Sequence, residues 1–493
     1  MYKRQTTGSA LNVANTTIGA NNLEFQSVSS NGATRAIILN TTGAVGGLKV
    51  KGTGSAGSGG TIQNCTQRGA ELISTSNVSL VRMNFTNNAT VVGAPCGSAA
   101  LVTSNNTGCN GPIYLQSANT AVLDNLVISG STQQGIVALD TTGLTLSNST
   151  LTGLGNGPDE DGLHITNLLG TNAISSTSIS GSGDDNVNIQ NLSGTSTINV
   201  TGGSFNTGVL GSGLLFGIRG TSNTTITVTG TTVDNNFSGG IVADTYDTAT
   251  LSIDVGSSIV TNNNDGIQVS AGQTANAQYD IHDNPNISGQ DFLAITLLKA
   301  AFSTGGTLEG AVRNNVITIA NGRPTDGIFV FQAGGGSLRT AIQNNTINYA
   351  GTQRAILLQA GQDGNGSIES TITGNNIDIQ LDGAGNAVAG ILAQSAITGP
   401  GNTASLCFDM GGAGGLRNTF THSLGGSMAG GDIRVRQRND GTVRLPGYVG
   451  GATDTAAVVT YLSGRNTVVS TPTATFDFSG FSGGGACVPP TIP

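Results

Sequence analysis

The sequence predicts an all-β solenoid, with short strands wound into stacked parallel coils and closed by a C-terminal capping region. Three observations predict it. First, one motif keeps returning: a small or acidic residue, then Gly, then alternating aliphatics. Copies are QGIVALD at 134–140, DGLHITN at 161–167, GGIVADT at 239–245, DGIQVSA at 265–271, DGIFVFQ at 326–332 and AGILAQS at 389–395. DNVNIQN at 185–191 and RAILLQA at 354–360 are variants. Second, several adjacent copies lie 24 to 27 residues apart, a spacing that marks a repeat array. Third, period-2 alternation fills the space between them without a helical pattern, which excludes βαβ units.

Composition fits this class. The chain has 493 residues with 76 Gly, 11 Pro, no Trp and 10% charged residues. Ile, Val and Leu recur too regularly for a disordered chain. Thr, Val and Ile outweigh the strong helix formers. A net charge of −9, with 19 Lys and Arg in all, argues against nucleic acid as a partner. No apolar run approaches the roughly 18 residues a membrane span needs.

In chain order, MYKRQ at 1–5 resembles a translated sequencing-adapter tail of a metagenomic fragment and is left out of the fold reasoning. Residues 6–400 are expected to form the solenoid, 401–487 its cap and 488–493 a tail or linker. Each coil holds a G-I-x-V strand, a second strand such as TITVTGTTV, and a tail rich in Asn, Asp and Gly. The Asn pairs Asn235-Asn236, Asn344-Asn345 and Asn375-Asn376 suit left-handed bends and side-chain ladders. DFLAITLLKAAF at 291–302 is expected to bulge outward. Asp454 is a plausible N-cap for one short helix over 454–466. Arg434, Arg436 and Arg438 share a strand face by their spacing. They read either as an edge strand that blocks further stacking or as a binding row for an anionic glycan or surface polymer.

Five cysteines show no metal-ligand spacing. Cys96 and Cys109 bracket a polar loop and read as a staple. Cys407 and Cys487 could pair. The alternative is buried free thiols. Disulfides would imply an extracytoplasmic compartment.

The period, strand pattern and Asn/Gly turns resemble the right-handed parallel β-helix (pectin-lyase-like) proteins over roughly residues 8–450. RVRQR, RLPGY and AAVVTYLSGRN resemble the closing segment of bacterial secreted β-helix repeat proteins. That resemblance implies an adhesin or an autotransporter passenger.

The acids of GPDEDGLHITN and GSGDDNVNIQN pose the sharpest question. Asp161 resembles the Asp-Gly of the polygalacturonase site, and Asp184 and Asp185 its Asp pair, one coil later. There, two carboxylates activate water and a third protonates the leaving oxygen. The rest of that site is missing. SFNTGVLGSG stands where a Gly-His-Gly should follow, and Arg219 is followed by Gly220 and Thr221 rather than a Lys. Asp-Gly also recurs at Asp265 and Asp326, which makes it a corner feature: Asp caps a turn and Gly takes positive φ. A Ca²⁺ site of Asp159, Glu160, Asp161, Asp184 and Asp185 is the other reading of the cluster. His282, between Asp280 and Asp283, is a thinner metal candidate.

The function expected is therefore a non-enzymatic, secreted or cell-surface β-helix rod. It would act in adhesion or bind cell-surface glycans or polysaccharide as a monomer, without a required cofactor. The alternatives are a polysaccharide lyase or glycoside hydrolase of the β-helix type, and a structural spacer.

Overall fold

The structure, a computed structural model, describes residues 8–91, 109–362, 364–381, 388–399, 401–426 and 428–493. It is an all-β parallel β-helix. Two compact units divide it, Met1–Val242 and Ala243–Pro493.

In the first unit each coil contributes to three parallel ladders. One joins Ile113–Gln116, Ile136–Ser147, Leu163–Ser175, Val187–Asn191 and Leu214–Ile218 in order. A second joins Asn119–Asp124 to the far halves of the two long strands, then Thr195–Thr201 and Asn223–Thr229. The third stacks Val127–Ser131, Thr150–Leu154, Ser178–Ser182, Ser204–Asn206 and Thr232–Asp234. Alternation points every second side chain inward, so identical coil positions line up as aliphatic rows. Ile113, Ile136, Leu163, Val187 and Leu214 form one row, and Ile128, Leu151, Ile179, Phe205 and Val233 another. All ten are fully buried. Each such side chain contributes about 2 kcal/mol of burial free energy.

The second unit repeats the plan. Asp265–Ala271, Leu293–Lys299, Asp326–Gln332, Arg354–Ala360, Ala389–Gln394, Ile433–Gln437 and Thr473–Phe476 pair in succession. Two expectations change here. The apolar run at 291–302 does not bulge, because Leu293–Lys299 is a regular strand with a partner on each side. Nor is Ile433–Gln437 an edge strand, since Thr473–Phe476 continues the stack beyond it. Parallel pairing thus runs past residue 401, through Ser405–Met410 and Thr442–Arg444 to Phe481–Ser482.

Buried asparagines run through this unit. The backbone N–H groups of Asn284, Asn315, Asn345 and Asn375 each donate to the Oδ1 of the next ladder asparagine, at 3.0–3.2 Å, ending on Asn418. Their Nδ2 groups donate to the same atoms at 2.8–3.0 Å. A residue with positive φ precedes each: Asp283, Asn314, Asn344 and Gly374. The Asn-Asn reading therefore holds at 344–345, where the first Asn bends and the second bonds. At 375–376 it is offset by one, because Gly374 takes the bend.

The ladder stops on a helix. Asn418 Nδ2 donates to Asn466 Oδ1 at 2.9 Å, and Asn466 Nδ2 donates to the Leu462 carbonyl at 2.9 Å. Leu462 lies in the helix Thr455–Arg465, whose N-cap is Asp454, accepting from the Ala457 N–H at 2.9 Å. Arg417 satisfies the last helical carbonyls, reaching Gly464 at 2.8 Å and Asn466 at 2.6 Å, where cations complement the helix dipole. Among the described residues no helix is long and apolar enough to cross a membrane.

Candidate functional site

Coil stacking brings Asp161, Asp184 and Asp185 together, with ligand-type oxygens within 4.8 Å of one another. Most of their hydrogen-bonding capacity is already used. Asp161 Oδ1 accepts the Asp185 N–H at 3.1 Å and its Oδ2 meets His164 Nδ1 at 2.7 Å. Asp185 accepts from the Ser212 N–H and from Asn188 Nδ2. Asp184 Oδ2 accepts the Asp159 N–H at 2.8 Å. Glu160 is directed to the Asn156 and Gly157 N–H groups and to Gln133, while Asp159 adopts a positive φ. Asp161 is 0% exposed and Asp185 5%, so a polymer cannot reach either.

Burial, reinforced by the neighbouring Asp161 charge, pushes the Asp185 carboxyl well above the usual range. Burial also raises Asp184, against the pull of the Asp159 N–H. The same brace recurs in the second unit: Asp326 accepts the Arg354 N–H at 3.0 Å and its guanidinium at 2.8 Å. Burial outweighs that ion pair and lifts Asp326 to about 6. A corner Asp thus holds the backbone of the following coil at Asp161, Asp185 and Asp326 alike.

The glycine after it has a different reason from the one expected. Gly162, Gly266 and Gly327 do not carry positive φ. A Cβ at these positions would stand 2.5, 2.2 and 2.5 Å from the carbonyl oxygens of Asn186, Ala294 and Ala355. Coil-to-coil contact leaves no room for a side chain there.

His282 lies between Asp283, 2.7 Å from Nδ1, and Asp254, 3.3 Å from Nε2. Asp280 is paired in bidentate fashion with Arg313, at 3.0 and 2.6 Å. A guanidinium therefore already supplies the cation that these acids require.

The arginine row differs in that like charges face one another. Arg434 and Arg436 project from Ile433–Gln437, in register with Leu392 and Gln394 on one side and Thr473 and Thr475 on the other. Arg438 follows. Among the described residues no ion pair involves any of the three. Burial, then the charges of Arg434 and Arg438, pull the Arg436 pKa down, against the weaker opposing pull of the Asp477 carboxylate.

Sequence reasoning missed what lies beside the row. Phe329, Leu357, Leu392 and Arg434 form one register line, and Phe331, Gln359, Gln394 and Arg436 the next. Phe329 and Phe331 stack with ring centres 5.3 Å apart. Gln394 Nε2 donates to Gln359 at 3.0 Å, and Gln394 Oε1 is buried without a partner among the described residues. Three strand steps of about 4.8 Å separate the rings from the guanidinium groups. The alternation in DGIFVFQ and RVRQR carries that signal, but only the register joins the two.

Cys407 and Cys487 form a disulfide. Cys109 is a disulfide cysteine, whereas its expected partner Cys96 lies outside the described residues. Cys65 is a buried free thiol, raised to about 11 by that burial. No family model, curated protein or solved structure matches the chain.

Proposed function

We propose that the protein is a non-enzymatic, extracytoplasmic β-helix scaffold, similar to adhesins and autotransporter passengers. In this reading its second unit binds an anionic surface polysaccharide. The observation that carries the reading is the row Arg434, Arg436 and Arg438, three cations on one outward face that make no ion pair among the described residues. Fixed guanidinium forks suit carboxylate or sulfate groups. Phe329 and Phe331, each half-buried, lie three strands away on the same register lines, and Leu357, Leu392 and Gln394 between them are buried, so the arginine row carries the contact with the polymer. The acids of the first unit support the non-enzymatic part, being committed to coil-to-coil bonds. The disulfides support an oxidising compartment, and the resemblance to secreted bacterial β-helix proteins points the same way.

The test is binding of alginate, polygalacturonate and heparin against neutral dextran, with salt varied. The parent should retain at least one anionic polymer, more weakly as salt rises, and the triple variant R434Q/R436Q/R438Q should lose it at least tenfold. Equal binding by that variant, or none by the parent, would reject the reading.

A further inference from the structure

In the second unit a charged line crosses five stacked strands on the ladder next to the arginine face. Glu309, Arg339, Glu369, Cys407 and Arg444 occupy successive register positions. The chain after Ser482 runs across this line, perpendicular to the strands. Arg444 Nη1 donates to the carbonyls of Gly485 and Ala486 at 2.8 and 3.1 Å, while its Nη2 pairs with Glu369 at 3.0 Å. Cys487 is bonded to Cys407, one strand on. The Val488 N–H then donates to Glu369 at 2.9 Å, and the Thr491 N–H to Glu309 at 3.2 Å. Between Arg444 and Glu309 lie four strand steps, roughly 19 Å, which nine extended residues span with ease.

We propose that residues 483–491 are a strap whose polar contacts gate the reduction of its own disulfide. Coils separate by breaking the hydrogen bonds between strands, and the strap lies along that direction with one covalent anchor. Cys407 is 2% exposed and Cys487 7%, so a reductant has no route to the sulfurs while the strap is seated. Opening must come first, and opening means releasing Glu369, Glu309 and Arg444. An external dithiol then supplies two electrons and two protons. The S–S bond breaks, Cys407 and Cys487 become thiols, and the dithiol closes to its own disulfide. The freed segment uncovers the charged line and removes a covalent tie across these strands. This device is independent of the polysaccharide reading.

Two measurements on the full chain test it. One is the rate of disulfide opening by dithiothreitol, read by alkylation and peptide mapping. The other is hydrogen exchange across 484–491. Glu369→Gln and, separately, Glu309→Gln should speed opening at least fivefold while exchange in the Asn345 ladder stays unchanged. Cys487→Ser should cost the Val488 and Thr491 amides at least tenfold in protection. Parent-like opening rates in both glutamate variants, or full protection of those amides in Cys487→Ser, would overturn the proposal.

Discussion

Lys299 is fully buried, in register with Ala271 and Gln332, and its ammonium meets the Ala275 carbonyl at 3.3 Å. Burial pulls its pKa down to about 8. Between that value and the unfolded value near 10.5 the unfolded chain holds more protons, so stability rises with pH across the window. Lys299→Met should flatten that slope and raise stability at pH 7 by on the order of 1–2 kcal/mol, read by denaturant melts at several pH values. Asp184 has the opposite sign. Its raised pKa means the folded state holds more protons just above pH 4, so stability falls as pH rises there. Asp184→Asn keeps the acceptor for the Asp159 N–H and removes one charge. It should raise the melting temperature at pH 7 by about 2 °C and change nothing at pH 3. A calcium-dependent rise in the parent that this variant abolishes would contradict the brace and favour a cation site.

Elements depend on the same accounting of backbone groups. Asn345 accepts two bonds from Asn315 and donates to the Val312 carbonyl and to Asn375. Asn345→Ala leaves buried donors unmet and should cost roughly 3 kcal/mol. Its neighbour Asn344 only needs positive φ, so Asn344→Gly should lie within about 0.5 kcal/mol of the parent. Thermal melts of the pair separate ladder from bend. The coil period, the Asn bends and the Asp454 cap were legible because each rests on local residue choice. The glycine after each corner Asp was misread because a sequence does not distinguish a need for positive φ from a need for space. The charged line of Glu309, Arg339, Glu369 and Arg444 was missed because its successive members lie 30 to 75 residues apart, and only the register of stacked strands makes them neighbours.

At the scale of the molecule, the scaffold works if its stack is closed. The ladder ends on the Leu462 carbonyl, and the strands Ala389–Gln394 and Ser367–Thr373 are covered by Ile433–Gln437 and Ser405–Met410. A chain ending at Gly399 would expose those strands and their aliphatic rows, a template for association. It should oligomerise in light scattering where residues 6–493 do so less, both sharing one N-terminal end. The arginine face was half legible: spacing put three arginines together, but nothing local placed two phenylalanines on the same lines.

The central claim is binding without cleavage, and polymer chain length measures it most directly. The protein is held with a bound anionic polysaccharide overnight, with and without Ca²⁺, and the polymer is then sized by chromatography with light scattering. The account predicts an unchanged length distribution under saturating, salt-sensitive binding. A shortened polymer, restored to full length by Asp184→Asn, would contradict it.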